Sequence, residues 1–431
     1  MDPVTKKALE TSIEAIIDAG VNPKSLAGTQ TAVYCLYDFS EFEMSISKAQ
    51  SQRALLGIGR CFSANRLSFA LDLQGPSYSA VGGYGSTFHF LDEAKGQLEA
   101  GIIDAAVVVC ANFIMSARSI SVLQGMGMTA EDGKCCAFDE NAHGYALSES
   151  CVAFFLQRAT DARRNWATVI GGAQRYFGTK KGNALAFDEE PVKDMMRELY
   201  LKWNVDPADV GYIEADGCGL KDKDAKEANI IAEVFCRERK DPLLIGSVKS
   251  NIGHAESAAG AAGMVKALIA FQNSKIPPNI NITSPIPELT SNDIKVVTEV
   301  TAFNGEFIGV NSIGFAGNFG HVLLKANPKK SSTMQIKETL PQILLISSRT
   351  EAGVDDIMKQ VRHTKITPEF AALMNGVFSQ EVRNHMYRCY AIVPPDNTKL
   401  RSSLREQTGA RGLFGGYLRA WVVSGTLWAP I

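Results

Sequence analysis

Continuous apolar runs alternate with helical patterns through the first three quarters of this chain, and no other feature restricts its fold as strongly. "AAVVVCA" (residues 105–111) and "CVAFFLQR" (151–158) show no polar alternation, which is expected of strands covered by helices on both faces. Between such runs, "KKALETSIEAIIDAG" sets Leu9, Ile13, Ile16 and Ile17 on one helical face and stops at Gly20. "GSTFHFLDEAKGQLEAG" does the same with Phe88, Leu91, Ala94 and Leu98. A second series repeats the theme from "WATVIGGAQ" through "EEPVKDMMRELYLKW", "VGYIEADG", "KDAKEANIIAEVF", "PLLIGSVKSNIGH" and "AAGAAGMVKALIAFQ". It closes on "FIGVNSIGFAGNFGHVLLKA", a hairpin pattern with a Gly-rich turn. Two successive series predict a duplicated α/β fold with its site on loops at the strand ends.

Length and charge narrow the possibilities. A chain of 431 residues implies two or three domains or one large duplicated one. With 44 basic and 46 acidic residues the net charge is −2, and no basic cluster carries interleaved aromatics, so nucleic-acid binding has no support. The nine cysteines are odd in number and lack Cys-x-x-Cys spacing, which suits reduced thiols of a cytoplasmic protein. The six histidines form no ligand pair, so no metal is expected. The N-terminal segment carries charges throughout, unlike a secretory signal, and the most apolar stretch, "GIIDAAVVVCANFIM", is short and carries Asp104, so no membrane span is expected.

After the Lys/Ser-rich "ANPKKSSTMQ" the character changes to a smaller mixed segment, and the chain ends on the strand-like "RAWVVSGTLWAPI". Upstream, "GPSYSAVGGYGSTFHF" (75–90) reads as a strand, a bend and a helix start, a junction at which enzymes present nucleophiles. Tyr84 stands at the bend.

Five stretches occur in the order and spacing of a known family: "MDPVTKKALETSIEAIIDAGVNPKSLAGT", "ANRLSFALDLQGPS", "GMGMTAEDGKCCAFDENAHGYALSES", "GSVKSNIGHAESAAGAAGMVKAL" and "GVNSIGFAGNFGHVLL". Together they resemble the β-ketoacyl synthase of animal-type fatty acid synthase and its polyketide synthase relatives. The resemblance implies an α/β, thiolase-like layered αβαβα fold of two similar halves over residues 1–327, lacking its N-terminal part. It implies a small α+β linker domain at 328–415 and the first strand of a truncated acyltransferase domain at 416–431. The family's first strand falls before the point matching Met1, so an exposed edge or apolar surface is expected, and the chain reads as a fragment or truncated product. A homodimer and an acyl carrier protein are the partners implied. No cofactor is expected here, since the family's substrates ride on the phosphopantetheine of that carrier.

The family reaction is a decarboxylating Claisen condensation in fatty acid biosynthesis, which needs a thiolate nucleophile, oxyanion donors and a dry site. By resemblance the family's nucleophilic Cys falls on Tyr84 and its first His on Asp216. A phenol has a pKa of about 10 against about 8.5 for a thiol, and a carboxylate cannot donate to an oxyanion. The second loop keeps Lys249, Asn251, His254 and Glu256, and Phe315 matches a gating Phe beside the pocket. Lys249 and His254 are expected to pair with Asp216, which would raise the pKa of His254. Tyr84 reads as a pocket plug or as an unusual nucleophile, and Cys218 as a plain replacement or as a relocated nucleophile. The resulting expectation is a synthase fold without synthase activity. The alternatives are residual malonyl-thioester decarboxylation through His254 and Lys249, or a non-enzymatic acyl-chain-binding or dimerisation scaffold. A pocket filled by Tyr84, Phe88 and Phe315 would speak against acyl-chain binding.

Overall fold

A computed structural model describes residues 1–37, 41–42, 55–178, 187–237, 239–314, 317–327, 341–364, 366–379, 382, 384–393 and 401–406. The chain forms two compact units, residues 1–19 with 26–330, and residues 20–25 with 331–431.

The first half of the larger unit runs α1 (Pro3–Asp18), β1 (Thr31–Leu36), α2 (Phe62–Leu71), β2 (Ser77–Ala80), α3 (Ser86–Glu99), β3 (Ala105–Asn112), α4 (Ala117–Gly125) and β4 (Ser150–Gln157). The second half runs β5 (Ala167–Arg175), α5 (Glu189–Trp203), β6 (Val210–Glu214), α6 (Lys221–Ile231), β7 (Leu243–Gly246), α7 (Ala259–Asn273), β8 (Ile294–Val296), β9 (Phe307–Ile313) and β10 (Phe319–Ala326).

The sheets show the duplication directly. The first has the order β2-β1-β3-β4, parallel except for β4. The second has the order β5-β10-β9-β6-β7-β8, and its β7-β6-β9-β10 portion repeats the first sheet in order and direction. β5 and β8 extend the second sheet at its two ends. The helices make layers around the sheets. α3 and α7 lie between them, contributing Phe88, Leu91 and Ala94, and Ala261, Met264 and Ala267, to one apolar core shared with β1, β3, β9 and β10. Gly260 permits this approach, because a Cβ there would lie 3.2 Å from the Phe88 ring. On the far face of the second sheet, Met195, Met196 and Leu199 of α5 and Ile230 and Ile231 of α6 form another core.

α1 covers β4 and β3. Its start is capped by Asp2, whose side chain accepts from Val4 N at 2.8 Å. The buried stripe differs from the expected one. Val4, Ala8, Ser12 and Ile16 are buried, whereas Leu9, Ile13 and Ile17 are half-buried. The small Ala8 and Ser12 let the helix axis approach the sheet, leaving the larger side chains to flank the contact.

β4 also departs from expectation. Its apolar run predicts burial on both faces, yet all eight residues are half-buried, while β3 is buried from Ala105 to Ala111. The cause is position: among the described residues β4 ends its sheet, with β3 as its one strand neighbour.

The second unit holds β11 (Gln342–Ser348), α8 (Glu351–His363), α9 (Pro368–Phe378), β12 (Tyr387–Val393) and β13 (Arg401–Glu406). The strands form an antiparallel sheet in the order β11-β12-β13. Leu344, Ile346, Val354, Val361 and Ala391 make its core. Residues 328–340 and 407–431, including the strand-like "RAWVVSGTLW", lie outside the described residues. All nine cysteines are free thiols. Among the described residues no helix is long and apolar enough to cross a membrane.

Candidate functional site

The repeat brings two equivalent junctions together. β2 leads through residues 81–85 into α3, and β7 leads through residues 247–258 into α7. Tyr84 sits on the first junction and His254 on the second, with ring centroids 5.0 Å apart in an edge-on arrangement. Tyr84 is 8% exposed, so its ring fills the bend from inside. Gly83 adopts φ +77°, and a Cβ there would lie 2.9 Å from Asn318 Nδ2. The bend therefore requires glycine before Tyr84. Ser312 Oγ at the end of β9 donates to the Tyr84 carbonyl at 3.1 Å, and the next residue, Ile313, donates its N–H to Asp216 Oδ1 at 3.0 Å. One strand end thus holds both Tyr84 and Asp216.

Asp216 is 2% exposed, and Lys249 Nζ lies 2.5 Å from its Oδ1 and 2.7 Å from its backbone carbonyl. Burial opposes the Lys249 charge, but the Asp216 carboxylate outweighs it and holds the lysine pKa above its ordinary value. The expected Lys249–Asp216 pairing is therefore present. The expected pairing of His254 with Asp216 is not. His254 Nδ1 accepts the Glu256 N–H at 2.9 Å. Burial first, and then the Lys249 charge, push the His254 pKa well below its ordinary value, the reverse of the expected rise. With Nδ1 accepting, the neutral ring carries its proton on Nε2.

His254 is fixed on both sides of its backbone, donating N–H to Ala146 O at 2.7 Å and accepting from Ser148 N at 3.0 Å. That pairing delivers Tyr145, whose ring centroid lies 4.6 Å from the imidazole. Burial raises the Tyr145 phenol well above its ordinary pKa. Tyr145 was not among the residues singled out from sequence, and no local signal marks it.

Two carboxylates of α6 were missed as well. Glu227 accepts the N–H groups of Asp216 and Gly217 at 2.8 and 2.9 Å, together with Asn311 Nδ2 at 2.9 Å. Asp224 accepts from Phe138, Cys218 and Gly219 N–H groups at 2.9–3.1 Å. Burial, then the Asp216 charge, raise the Glu227 pKa to about 7, and burial raises Asp224 to about 6. A signal was present, since Asp224 and Glu227 precede the buried Ala228 and Ile231 by four residues and so share their helical face.

Cys218 is buried, and its thiol is pushed well above the ordinary range by burial and then by Asp224 and Asp216. It is not poised as a thiolate. Asn251 is exposed and donates to Pro278 O at 3.0 Å, away from His254. Glu256 is half-buried with φ +43° and meets His254 through its backbone N–H. Phe88 belongs to the core between the two sheets, and Phe315 lies outside the described residues. Beside Glu256 a crevice of about 20 Å³ is lined by Asn112, Ile114, Leu123 and Leu147.

Comparison with known proteins supplies the context. Residues 1–162 match the family model for the β-ketoacyl synthase N-terminal domain, residues 166–283 its C-terminal domain, and residues 278–392 the ketoacyl-synthetase C-terminal extension. The chain is 33% identical to a fatty acid synthase sequence of Anser anser anser over 276 residues, 63% of this chain and 78% of that one. It is 30% identical to the highly reducing polyketide synthase sdnO of Sordaria araneosa over 377 residues, covering 84% of this chain but 12% of the synthase. A ketosynthase from module 1 of the bacillaene synthase of Bacillus amyloliquefaciens FZB42 superposes with a TM-score of 0.81 at 25% identity, covering 91% of this chain and 71% of that one. The module 6 ketosynthase from Bacillus subtilis 168 has the same fold, with a TM-score of 0.82 at 24% identity over 92% of this chain and 69% of that one.

Proposed function

The chain belongs to the β-ketoacyl synthase family, and from that premise we propose that it is a ketosynthase-type domain in which the condensing chemistry has been abandoned and the scaffold kept. The observation that carries this reading is the buried ion pair between Asp216 and Lys249, beside a bend occupied by Tyr84. Condensation needs a thiolate to hold the acyl group and donors for two developing oxyanions. Tyr84 offers a less acidic, bulkier group at the bend. Asp216 offers acceptors where a donor is needed, and its carboxylate engages Lys249. His254 remains a neutral Nε2–H donor, but both Tyr84 and Tyr145 pack close to it. Losing one oxyanion donor alone costs about 100- to 1000-fold in rate, before the missing nucleophile is considered.

On this reading the scaffold serves dimerisation or docking of an acyl carrier protein, partners that suit the family rather than the chemistry. The decarboxylase alternative would draw on His254 and Lys249, and the engagement of Lys249 by Asp216 weighs against it. Incubating the chain with an acyl-pantetheine thioester and measuring intact mass tests the proposal. No adduct is expected, and one acyl group per chain on any side chain would overturn it. Carbon dioxide release from a malonyl thioester that disappears in His254→Ala would favour the decarboxylase reading instead.

A further inference from the structure

Between α4 and β4 a long irregular segment carries Tyr145 to the His254 imidazole. Its two ends are tied together. Ala130 N donates to Tyr145 O and Tyr145 N to Met128 O, each at 3.0 Å, and Thr129 bridges Tyr145. The neighbouring Gly144 N donates to Gly219 O at 2.9 Å. Residues 131–143 loop out between these ties, and His143 spans the base of the loop, with its Nε2 3.1 Å from Asp132 Oδ1.

The partners of His143 fix the state of its ring. Nδ1 lies 3.0 Å from the Asn141 carbonyl oxygen, so each ring nitrogen faces an oxygen that only accepts, one a backbone carbonyl and the other a carboxylate. A neutral imidazole has one N–H and serves one of them, whereas the imidazolium serves both. Loss of the proton therefore turns one contact into lone pair against lone pair. Asp132 Oδ1 also accepts the Lys134 N–H at 3.1 Å, across a turn in which Gly133 has φ +67°. The charged groups acting on the ring are Asp132 and Glu131, and Lys134 acts on Asp132. His143 is 46% exposed, so solvent protons reach it directly.

We propose that His143 and Asp132 form a proton-operated latch, whose imidazolium holds the loop closed with Tyr145 against His254 and whose deprotonation frees that segment. The Asn141 carbonyl, then Asp132 and Glu131, hold the His143 pKa above its ordinary 6.5. The folded value exceeds the unfolded one, so the latch is complete below pH 6.5 and is lost as pH rises through the folded value. The pair is exposed, so its hold is modest and local. The latch does not depend on whether the Tyr84–His254 site is catalytic or inert.

Hydrogen exchange of the Ala130 and Tyr145 amides in the full chain tests this, read at pH 5.5 and 8 and corrected for the intrinsic pH dependence of exchange. His143→Gln keeps a polar side chain that does not titrate, and it leaves Glu227, which titrates in the same window, in place. The ratio of protection at pH 5.5 to that at pH 8 is expected to be about threefold larger in the wild type than in His143→Gln. Asp132→Ser, which retains an acceptor for Lys134 N–H, should resemble His143→Gln and lower the His143 pKa seen by NMR. Equal ratios in the wild type and His143→Gln overturn the proposal. So does a larger wild-type ratio with no His143 titration between pH 5.5 and 8, which would assign the effect to another group.

Discussion

Lys249 and Asp216 form an ion pair of 2.5 Å with both side chains at most 4% exposed. Lys249 reaches this pair from the start of a short helical turn, Lys249–Ile252, after β7, and Asp216 from the loop after β6. Removing one partner strands the other charge in the interior. Asp216→Ala is expected to lower the unfolding free energy by about 3–5 kcal/mol, whereas Asp216→Leu combined with Lys249→Met should recover most of that loss. Urea denaturation of the single and double variants decides this, and additive losses would show that the pair is not coupled.

Glu227 gives the site a pH dependence. Its folded pKa of about 7 stands above the ordinary 4.5, owing to burial and then to the Asp216 charge. The folded state therefore holds the proton more tightly than the unfolded chain, and the Glu227 contribution is full below pH 4.5 and lost as pH rises through about 7. Stability of the wild type relative to Glu227→Gln should fall steadily across that window. The comparison with the variant is needed because His321, pushed down to about 3 by burial, adds a slope of opposite sign below pH 6.5. A difference that is flat, or that rises with pH, contradicts this assignment.

The bend tolerates no side chain at Gly83. With φ at +77° and Asn318 Nδ2 2.9 Å from the Cβ position, Gly83→Ala should cost about 1–2 kcal/mol in backbone strain, with the clash added to it. A melting temperature unchanged from the wild type would show that the bend can relax.

Placing a cysteine at 84 and a histidine at 216 is the direct chemical test of the proposed loss of condensing chemistry. Tyr84→Cys with Asp216→His should accept an acyl group from an acyl-pantetheine thioester, seen as a mass increase on the new thiol. Tyr84→Cys alone should be acylated more slowly, since Asp216 keeps a negative charge near the site. Failure of the double variant to acylate while remaining folded by circular dichroism would place the defect elsewhere in the site.

Much of this was legible in the chain itself. The apolar runs of β1 and β3, the face of α3 set by Phe88, Leu91, Ala94 and Leu98, and the β9–β10 hairpin follow from side-chain period and turn residues, which act over a few positions. The resemblance carried by the loop motifs drew attention to Tyr84, Asp216, Lys249 and His254, which the fold brings into one region. Tertiary structure decided the rest. Whether an apolar strand is central or at an edge depends on its neighbours, so the composition of β4 did not reveal its half-buried state. The protonation of His254 depends on burial and on the charge of Lys249, and its sign was misjudged while the geometry was unknown. Tyr145 reaches the imidazole only because residues 146–148 pair with the His254 backbone. Local pattern specifies elements because its forces are short-ranged along the chain. Charge state and strand neighbours are set by contacts between distant residues, and these exist only once the two halves have packed.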